Sequence, residues 1–297
     1  MSRFATARTP SVLLCTDFDE TITQRDTTSL LFQLACSPAS TAQQLVTQYV
    51  TELDELLKSY EGRWATQQQE RERNFDAEGL REFLRGYAAT DLRSTQRVVA
   101  CLALRGIRRP DIFAAAGAVQ LRANCAKTLA AVEQWEVLST NWSTELVAAA
   151  LQHAGVATAS TQIVSNELKM DEHGVSTGEI DVTVQSPVDK ERRVAELRSR
   201  QGDEQSVVVF VGDSATDLLA MLEADVGVWL DSDATSSSSK LLQRLVACYG
   251  IDIRPLTSCN SLLDCMSATK DSRGKPVIFT ATAWSQLQAV VGERLRN

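Results

Sequence analysis

The chain has 297 residues, 44% hydrophobic and 23% charged, with a formal net charge of −8; this is an ordinary globular composition, long enough for one large domain or a core plus a second module. The negative charge argues against nucleic acid or an anionic membrane surface as the main partner, since neither attracts an acidic protein, and no apolar run approaches the ~18 residues that cross a bilayer. Seven cysteines form an odd set with no CxxC pair, so zinc spacings are absent and a disulfide framework is not expected.

The start, MSRFATARTP, carries Arg and Ser/Thr without acids. A strand follows so soon that this segment reads as too short for a transit peptide. With reduced cysteines, that predicts a cytoplasmic protein. The first strand, Val12-Leu13-Leu14-Cys15, ends in Asp17-Phe18-Asp19-Glu20-Thr21. From Thr27 to about Asn124, apolar residues recur at three-four spacing in 29–34, 45–60, 80–87 and 95–104, punctuated by Gly62, Gly86, Gly106 and Pro110. No strand pattern interrupts them, so a helical insert is predicted. Within it, the mixed charges of 67–74 (QQQERERN) read as a solvated helix face rather than a nucleic-acid patch.

Glu136-Val137-Leu138 then reads as a strand leading into Ser139-Thr140-Asn141-Trp142, with a helix over 146–154 that stops at Gly155. Residues 162–170 and 174–184 suggest a hairpin with Gly174 near its turn. Ser186-Pro187-Val188-Asp189-Lys190 opens another helix. The apolar run 207–211 ends in Gly212-Asp213-Ser214-Ala215-Thr216-Asp217, where Gly212 is expected to allow a sharp turn. A helix over 218–224, a strand over 226–230 and a Ser-rich, mobile loop over 231–239 are predicted next. Short strands at 251–253 and 277–279 and a closing helix from Trp284 to Arg294 complete the chain. Strands alternating with helices predict a parallel, Rossmann-like α/β sheet.

Each polar strand end also has a plain structural reading. Asp17, Asp19 and Thr21 suit a capping loop, Ser139 or Thr140 an N-cap, Asp213 and Asp217 a first helical turn, and Lys190 a solvated helix start. Their joint occurrence favours chemistry. Asp17 and Asp19 offer one carboxylate to attack phosphorus and another to handle the proton. Ligands bind beyond the carboxyl ends of strands in open α/β sheets, so all these groups converge on one crevice. At about 4 Å and an effective dielectric of about 20, each close carboxylate pair there costs about 4 kcal/mol. A divalent cation offsets that repulsion and screens a phosphate, so bound Mg2+ is predicted.

In order and in spacing to a strand end, these residues resemble the four motifs of the haloacid dehalogenase (HAD) superfamily of phosphohydrolases. DFDETITQRDTTSLL, VLSTNWSTELV, SNELKMDEHGVSTGEI, VQSPVDK, VGDSATDLLAMLEADVGVWL and SSSSKLLQRLVACYGIDIRPL further resemble the phosphatase domain of the plant thiamine monophosphate phosphatases. The resemblance runs from about Cys15 to about Trp284, thinly between Gln33 and Arg122. It does not extend to the thiaminase-II-like domain fused to those plant enzymes, and implies the phosphatase half alone.

That resemblance implies a three-layer Rossmann-like catalytic core over 1–24 and 125–297, with an all-helical type 1 cap over 25–124. Asp17 is then the nucleophile that forms an aspartyl-phosphate. Asp19 protonates the leaving alkoxide and afterwards activates water. Mg2+ is held by Asp17, the main-chain carbonyl of Asp19 and Asp213, with Asp217 ligating or supporting them. Ser139 and Lys190 hold the phosphoryl oxygens, with Thr140 as a second hydroxyl candidate, and the cap supplies leaving-group contacts. The implied substrate is thiamine monophosphate, a small phosphorylated metabolite. A nucleotide, phosphoserine or pyridoxal phosphate are alternatives, and a HAD-fold binding or regulatory protein without turnover is disfavoured by the four intact motifs. Trp142 suits either stacking on a heterocycle or packing. His153 and His173, the only two histidines, each lie beside a glycine and read as surface residues, which leaves histidine-based mechanisms without support. No GxxxxGK[ST] is present, so an ATP-binding P-loop is not expected.

Overall fold

The computed structural model describes residues 11–71, 74–159, 162–200 and 206–291, the side chains of 66–71 excepted. Its centre is a seven-stranded sheet in the order β3-β2-β1-β6-β7-β9-β8, every adjacent pair parallel. The strands are β1 Ser11–Thr16, β2 Gln134–Leu138, β3 Ile163–Val164, β6 Ser206–Gly212, β7 Val226–Leu230, β8 Asp252–Pro255 and β9 Val277–Ala281. A separate antiparallel hairpin is formed by β4 Glu167–Met170 and β5 Ser176–Asp181.

The apolar runs that announced β1, β6 and β7 lack polar alternation because both faces of the sheet are covered. Leu14, Val209, Val211 and Val228 point to one side, under α5 Cys125–Ala131, α6 Thr144–His153 and α11 Trp284–Val291. Cys15, Val208, Phe210 and Trp229 point to the other, under α7 Pro187–Ser199, α8 Leu218–Glu223 and α9 Ser237–Tyr249. A short α10 Leu262–Ser267 lies between β8 and β9. The predicted Rossmann-like α/β sheet is therefore what this chain forms.

Between β1 and α5 the chain is helical, as expected: α1 Thr28–Leu34, α2 Ala39–Arg71, α3 Ala77–Ala100 and α4 Arg109–Ala116. Two glycines act differently from the prediction. Gly62 lies inside α2, where a Cβ would meet nothing within 4 Å. Its penalty is about 1 kcal/mol against alanine, too small to break a helix held by packing. Gly86 lies inside α3, and a Cβ there would sit 3.1 Å from Leu56 Cδ1. It brings α2 and α3 together instead of ending a helix. The two helices predicted over 80–87 and 95–104 are thus one, and the chain turns after Ala100, with Leu102 at φ 51°. The expected solvated face of 67–74 lies, apart from the α2 backbone and Asn74, outside the described residues.

The helical segment is tied to the sheet at three places. Where it leaves and rejoins the core, Gln24 N–H donates to Gln120 O at 2.9 Å and Arg122 N–H to Ile22 O at 2.8 Å. The hairpin grips its far end, with Gly106 N–H donating to Ser176 O at 2.9 Å and Ser176 N–H to Ile107 O at 2.8 Å. Finally, Trp64 of α2 is buried with Phe83 against α9, and its Nε1–H donates to Tyr249 Oη at 3.1 Å.

Three further expectations change. Ile163–Val164 leaves the predicted hairpin and pairs with β2 instead. The Ser-rich stretch is capping chemistry: Ser236 accepts from Ser239 N–H at 3.0 Å, and Ser239 Oγ donates to Asp231 at 2.8 Å, starting α9 at Ser237. Its serines satisfy helix-end amides, which gives the segment a fixed form. The closing helix is described to Val291, and its predicted end at Arg294 lies outside the described residues. All seven cysteines are free. Among the described residues no helix is long and apolar enough to cross a membrane.

Tyr249→Phe removes the acceptor for the buried Trp64 indole at the joint between α2 and α9. An unfolding free energy lower by about 1–3 kcal/mol, the cost of a buried donor left unpaired, is expected in urea denaturation.

Candidate active site

β2, β1 and β6 are adjacent at the middle of the sheet, and their register aligns Thr16 with Val137 and Val211. The residues just beyond, Asp17, Ser139 and Asp213, therefore emerge at one edge on strands about 4.8 Å apart. Asp17 continues the ladder by donating its N–H to Val211 O at 2.9 Å. Sequence spacing alone placed each residue at a strand end; the parallel register brings them together.

Lys190 is central to the cluster. It sits in the first turn of α7 and is fully buried, with Nζ 2.7 Å from Asp17 Oδ1 and 2.7 Å from Asp217 Oδ1. The solvated helix-start reading of this lysine is corrected: burying an ammonium demands paired charge, and two carboxylates supply it. Burial works against its charge, but Asp17 and Asp217 outweigh burial and hold Lys190 above the usual lysine range.

Asp217 is committed on both oxygens. Its Oδ2 accepts from Asp213 N–H at 3.2 Å, Ser214 N–H at 3.1 Å and Ser214 Oγ at 2.9 Å, closing a capping box. Gly212 serves this carboxylate. A Cβ at Gly212 would lie 2.4 Å from Asp217 Cγ, while its φ is not positive. Close approach, not the expected sharp turn, requires glycine here.

Asp213 accepts from Thr21 Oγ1 at 2.8 Å. Its carboxyl is pushed well above the usual range by burial, then by the charges of Asp217 and Asp17. Asp17 is raised to about 7, burial outweighing the opposing pull of Lys190. Carboxylate oxygens of Asp17, Asp213 and Asp217 lie within 4.8 Å of one another. An all-oxygen set with more negative charge than one lysine neutralises fits a hard divalent cation such as Mg2+.

Asp19 stands apart from that cluster. One oxygen accepts from Thr27 N–H at 2.8 Å and Thr27 Oγ1 at 2.7 Å; the other accepts from Asn141 Nδ2 at 2.7 Å. Burial, with Asp26 nearby, raises it to about 6 against those hydrogen bonds. Two carboxylates two residues apart thus occupy different environments, the arrangement that separates an acid from a nucleophile.

Ser139 is buried at the end of β2, its Oγ accepting from Asn141 N–H at 3.1 Å. Thr140 is half-buried beside it, its carbonyl accepting from Asn166 Nδ2 at 2.9 Å. Asn166 also donates to Val184 O at 2.9 Å and accepts from Thr183 and Val184 N–H at 2.7 and 2.9 Å. It clamps the loop after β2 to the segment between β5 and α7 that leads to Lys190.

A family model for haloacid dehalogenase-like hydrolases matches residues 14–222. The chain belongs to that family. It is accordingly a hydrolase, and its sheet and helices are those of the HAD fold. It is also 26% identical, over 94% of its length, to the bifunctional TH2 protein, mitochondrial, of Arabidopsis thaliana. The match covers 49% of that relative, so this chain spans about half of it. Among solved structures, a phospho-aspartyl intermediate analogue of phosphoserine phosphatase aligns at TM-score 0.45 and 15% identity, over 74% of this chain and 87% of that one. A cytosolic 5′-nucleotidase IIIB bound to cytidine aligns at 0.48 and 14%, over 80% of this chain and 84% of that one. Likenesses at that level carry nothing about chemistry.

Asn141, Thr27 and Asn166 are the site residues that sequence reasoning missed. Asn141 lay two residues past Ser139, and Asn166 in the SNEL stretch, but amides there read as ordinary loop residues. Thr27 was eight residues from Asp19, with nothing to signal that the chain folds back. Trp142 packs edge-on against Phe32, ring centres 6.0 Å apart, favouring its packing role. His153 and His173 are exposed, as expected.

Gly212→Ala forces the new methyl into the Asp217 carboxylate. A loss of about 1–3 kcal/mol in unfolding free energy, typical of overpacking, is the expected outcome of chemical denaturation.

Proposed function

We propose that this HAD hydrolase is a Mg2+-dependent phosphomonoester phosphatase working through an aspartyl-phosphate on Asp17. The observation that carries the reading is the division of labour between Asp17, bound to Lys190, and Asp19, held by Thr27 and Asn141. Asp17 attacks phosphorus, and the bond to the leaving oxygen breaks as Asp19 delivers a proton to it. Asp19, now a carboxylate, takes a proton from water, which attacks the same phosphorus and frees Asp17 with release of phosphate.

Lys190 has three ammonium hydrogens. Two go to Asp17 and Asp217, and the third is available for a phosphoryl oxygen. The Ser139 hydroxyl accepts from Asn141 N–H and so can turn its own hydrogen to the phosphoryl group, with Thr140 as the alternative donor. Mg2+ would be held by Asp17, the Asp19 carbonyl and Asp213. The full commitment of Asp217 supports a role in fixing Lys190 and the Asp213 backbone rather than direct ligation. Bound Mg2+ would screen charge between the carboxylates and the phosphoryl group.

The helices of 25–124 are proposed as a cap on a core of 1–24 and 125–297. The paired backbone at Ile22–Gln24 and Gln120–Arg122 supports a boundary there. For the substrate, thiamine monophosphate is proposed on the subfamily resemblance of the SNEL, STGEI and SPVDK stretches. Seven free cysteines support a reducing compartment, and the cytoplasm is proposed.

Phosphate-release kinetics test this. Asp17→Asn should fold and show no turnover, because an amide forms no acyl-phosphate; turnover like the wild type's would overturn the mechanism. Asp19→Asn should lower kcat by about 10²–10⁴-fold, and Asn141→Ala by less, since it only holds Asp19. Chelation with EDTA should abolish activity and added Mg2+ restore it, whereas Ca2+, with its larger and looser shell, should inhibit. Full activity in chelator would contradict the metal assignment.

A further inference from the structure

The helical segment carries a polar cluster that the chemistry above does not use. Tyr49 of α2 donates its hydroxyl to Asp91 Oδ1 of α3 at 2.8 Å. Tyr87, one turn before Asp91 on the same face of α3, is hydrogen-bonded to Tyr49 in turn. All three side chains are half-buried rather than sealed in the core.

This cluster neighbours the reaction centre. α3 packs against the turn Ala215–Asp217. Asp91 is close enough to feel the charge of Lys190, and Tyr87 close enough to feel Asp213 and Asp217. Asp91 nevertheless forms no salt bridge among the described residues. Lys190 is committed to Asp17 and Asp217, and the arginines that follow on α3, Arg93 and Arg97, both turn to Glu52. A carboxylate without a cation, flanked by two tyrosine rings, is complementary to an organic cation, which gains from both the charge and the ring faces.

We infer that Asp91, positioned by Tyr49 and flanked by Tyr87, is the specificity determinant that takes a positively charged leaving group, so that the substrate is the phosphomonoester of a cationic alcohol. This rests on the phosphatase reading and deepens it. Burial raises the Asp91 carboxyl to about 7, against the pull of the Tyr49 hydrogen bond and Lys190, so a cation facing it favours its ionised form. The phosphoryl site treats all monoesters alike; selection falls to residues on the leaving-group side, and these stand there.

The test compares kcat/KM, with Mg2+ present, for two esters with a fixed positive charge, thiamine monophosphate and choline phosphate, against p-nitrophenyl phosphate. The proteins are the wild type, Asp91→Asn and Tyr49→Phe. Asparagine keeps the size of Asp91 and an acceptor for Tyr49 but removes the charge. The ratio of cationic to neutral ester should fall about 10- to 100-fold in Asp91→Asn, the size of a lost charge-assisted contact. It should fall less, in the same direction, in Tyr49→Phe. An unchanged ratio, or an equal fall on all three esters, overturns the inference and leaves the phosphatase reading standing. If the wild type hydrolyses none of the esters, the phosphatase reading fails, and calorimetric binding of thiamine itself decides the pocket. Binding weakened about tenfold by Asp91→Asn supports it; equal binding, or none to either protein, overturns it.

Discussion

Burial of one lysine between two aspartates is the constraint on which the rest of this structure depends. An ammonium removed from water is tolerable only when carboxylates meet it directly, and Lys190 meets Asp17 and Asp217 at 2.7 Å each. That requirement ties three distant parts of the chain together: the end of β1, the start of α7 and the turn after β6. It also dictates Gly212, because the Asp217 carboxylate lies where a side chain would be. The same arrangement gathers a third carboxylate, with Asp213 close by, a set that a hard cation would fit.

A second constraint concerns how the helical segment is held. It leaves the core through a narrow pair of backbone crossings near Ile22 and Gln120, yet is gripped by the hairpin at Gly106 and Ser176 and by Tyr249 through Trp64. These contacts hold α3, and with it Asp91, beside the turn Ala215–Asp217. Asn166 does comparable work below, binding the loop that carries Ser139 and Thr140 to the segment between β5 and α7. Saturated amides of this kind fix geometry because any displacement leaves buried groups unpaired.

Much of this was legible in the sequence. Apolar runs ending in Asp17, Ser139 and Asp213 announced strands of a parallel sheet, since only strands covered on both faces are apolar throughout. Helical spacing between Thr27 and Asn124 announced the insert. Legibility stopped where one residue type serves two purposes. Gly62 and Gly86 looked like helix ends, but a glycine's conformational freedom is local, and the fit of α2 against α3 outweighed it. The serines before α9 looked like a mobile loop because capping and disorder draw on the same composition.

The sequence by itself determined the strand ends, the acid pair and the order of the motifs, because backbone propensity and hydrophobic pattern act over a few residues. Tertiary structure alone decided what each polar group faces. That Lys190 is buried rather than solvated, that Asn141 and Thr27 hold Asp19, and that Asp91 meets a tyrosine but no salt-bridge partner among the described residues follow from contacts between residues 8 to 173 positions apart. Pairing at such distances depends on strand register and helix packing, which no local pattern encodes.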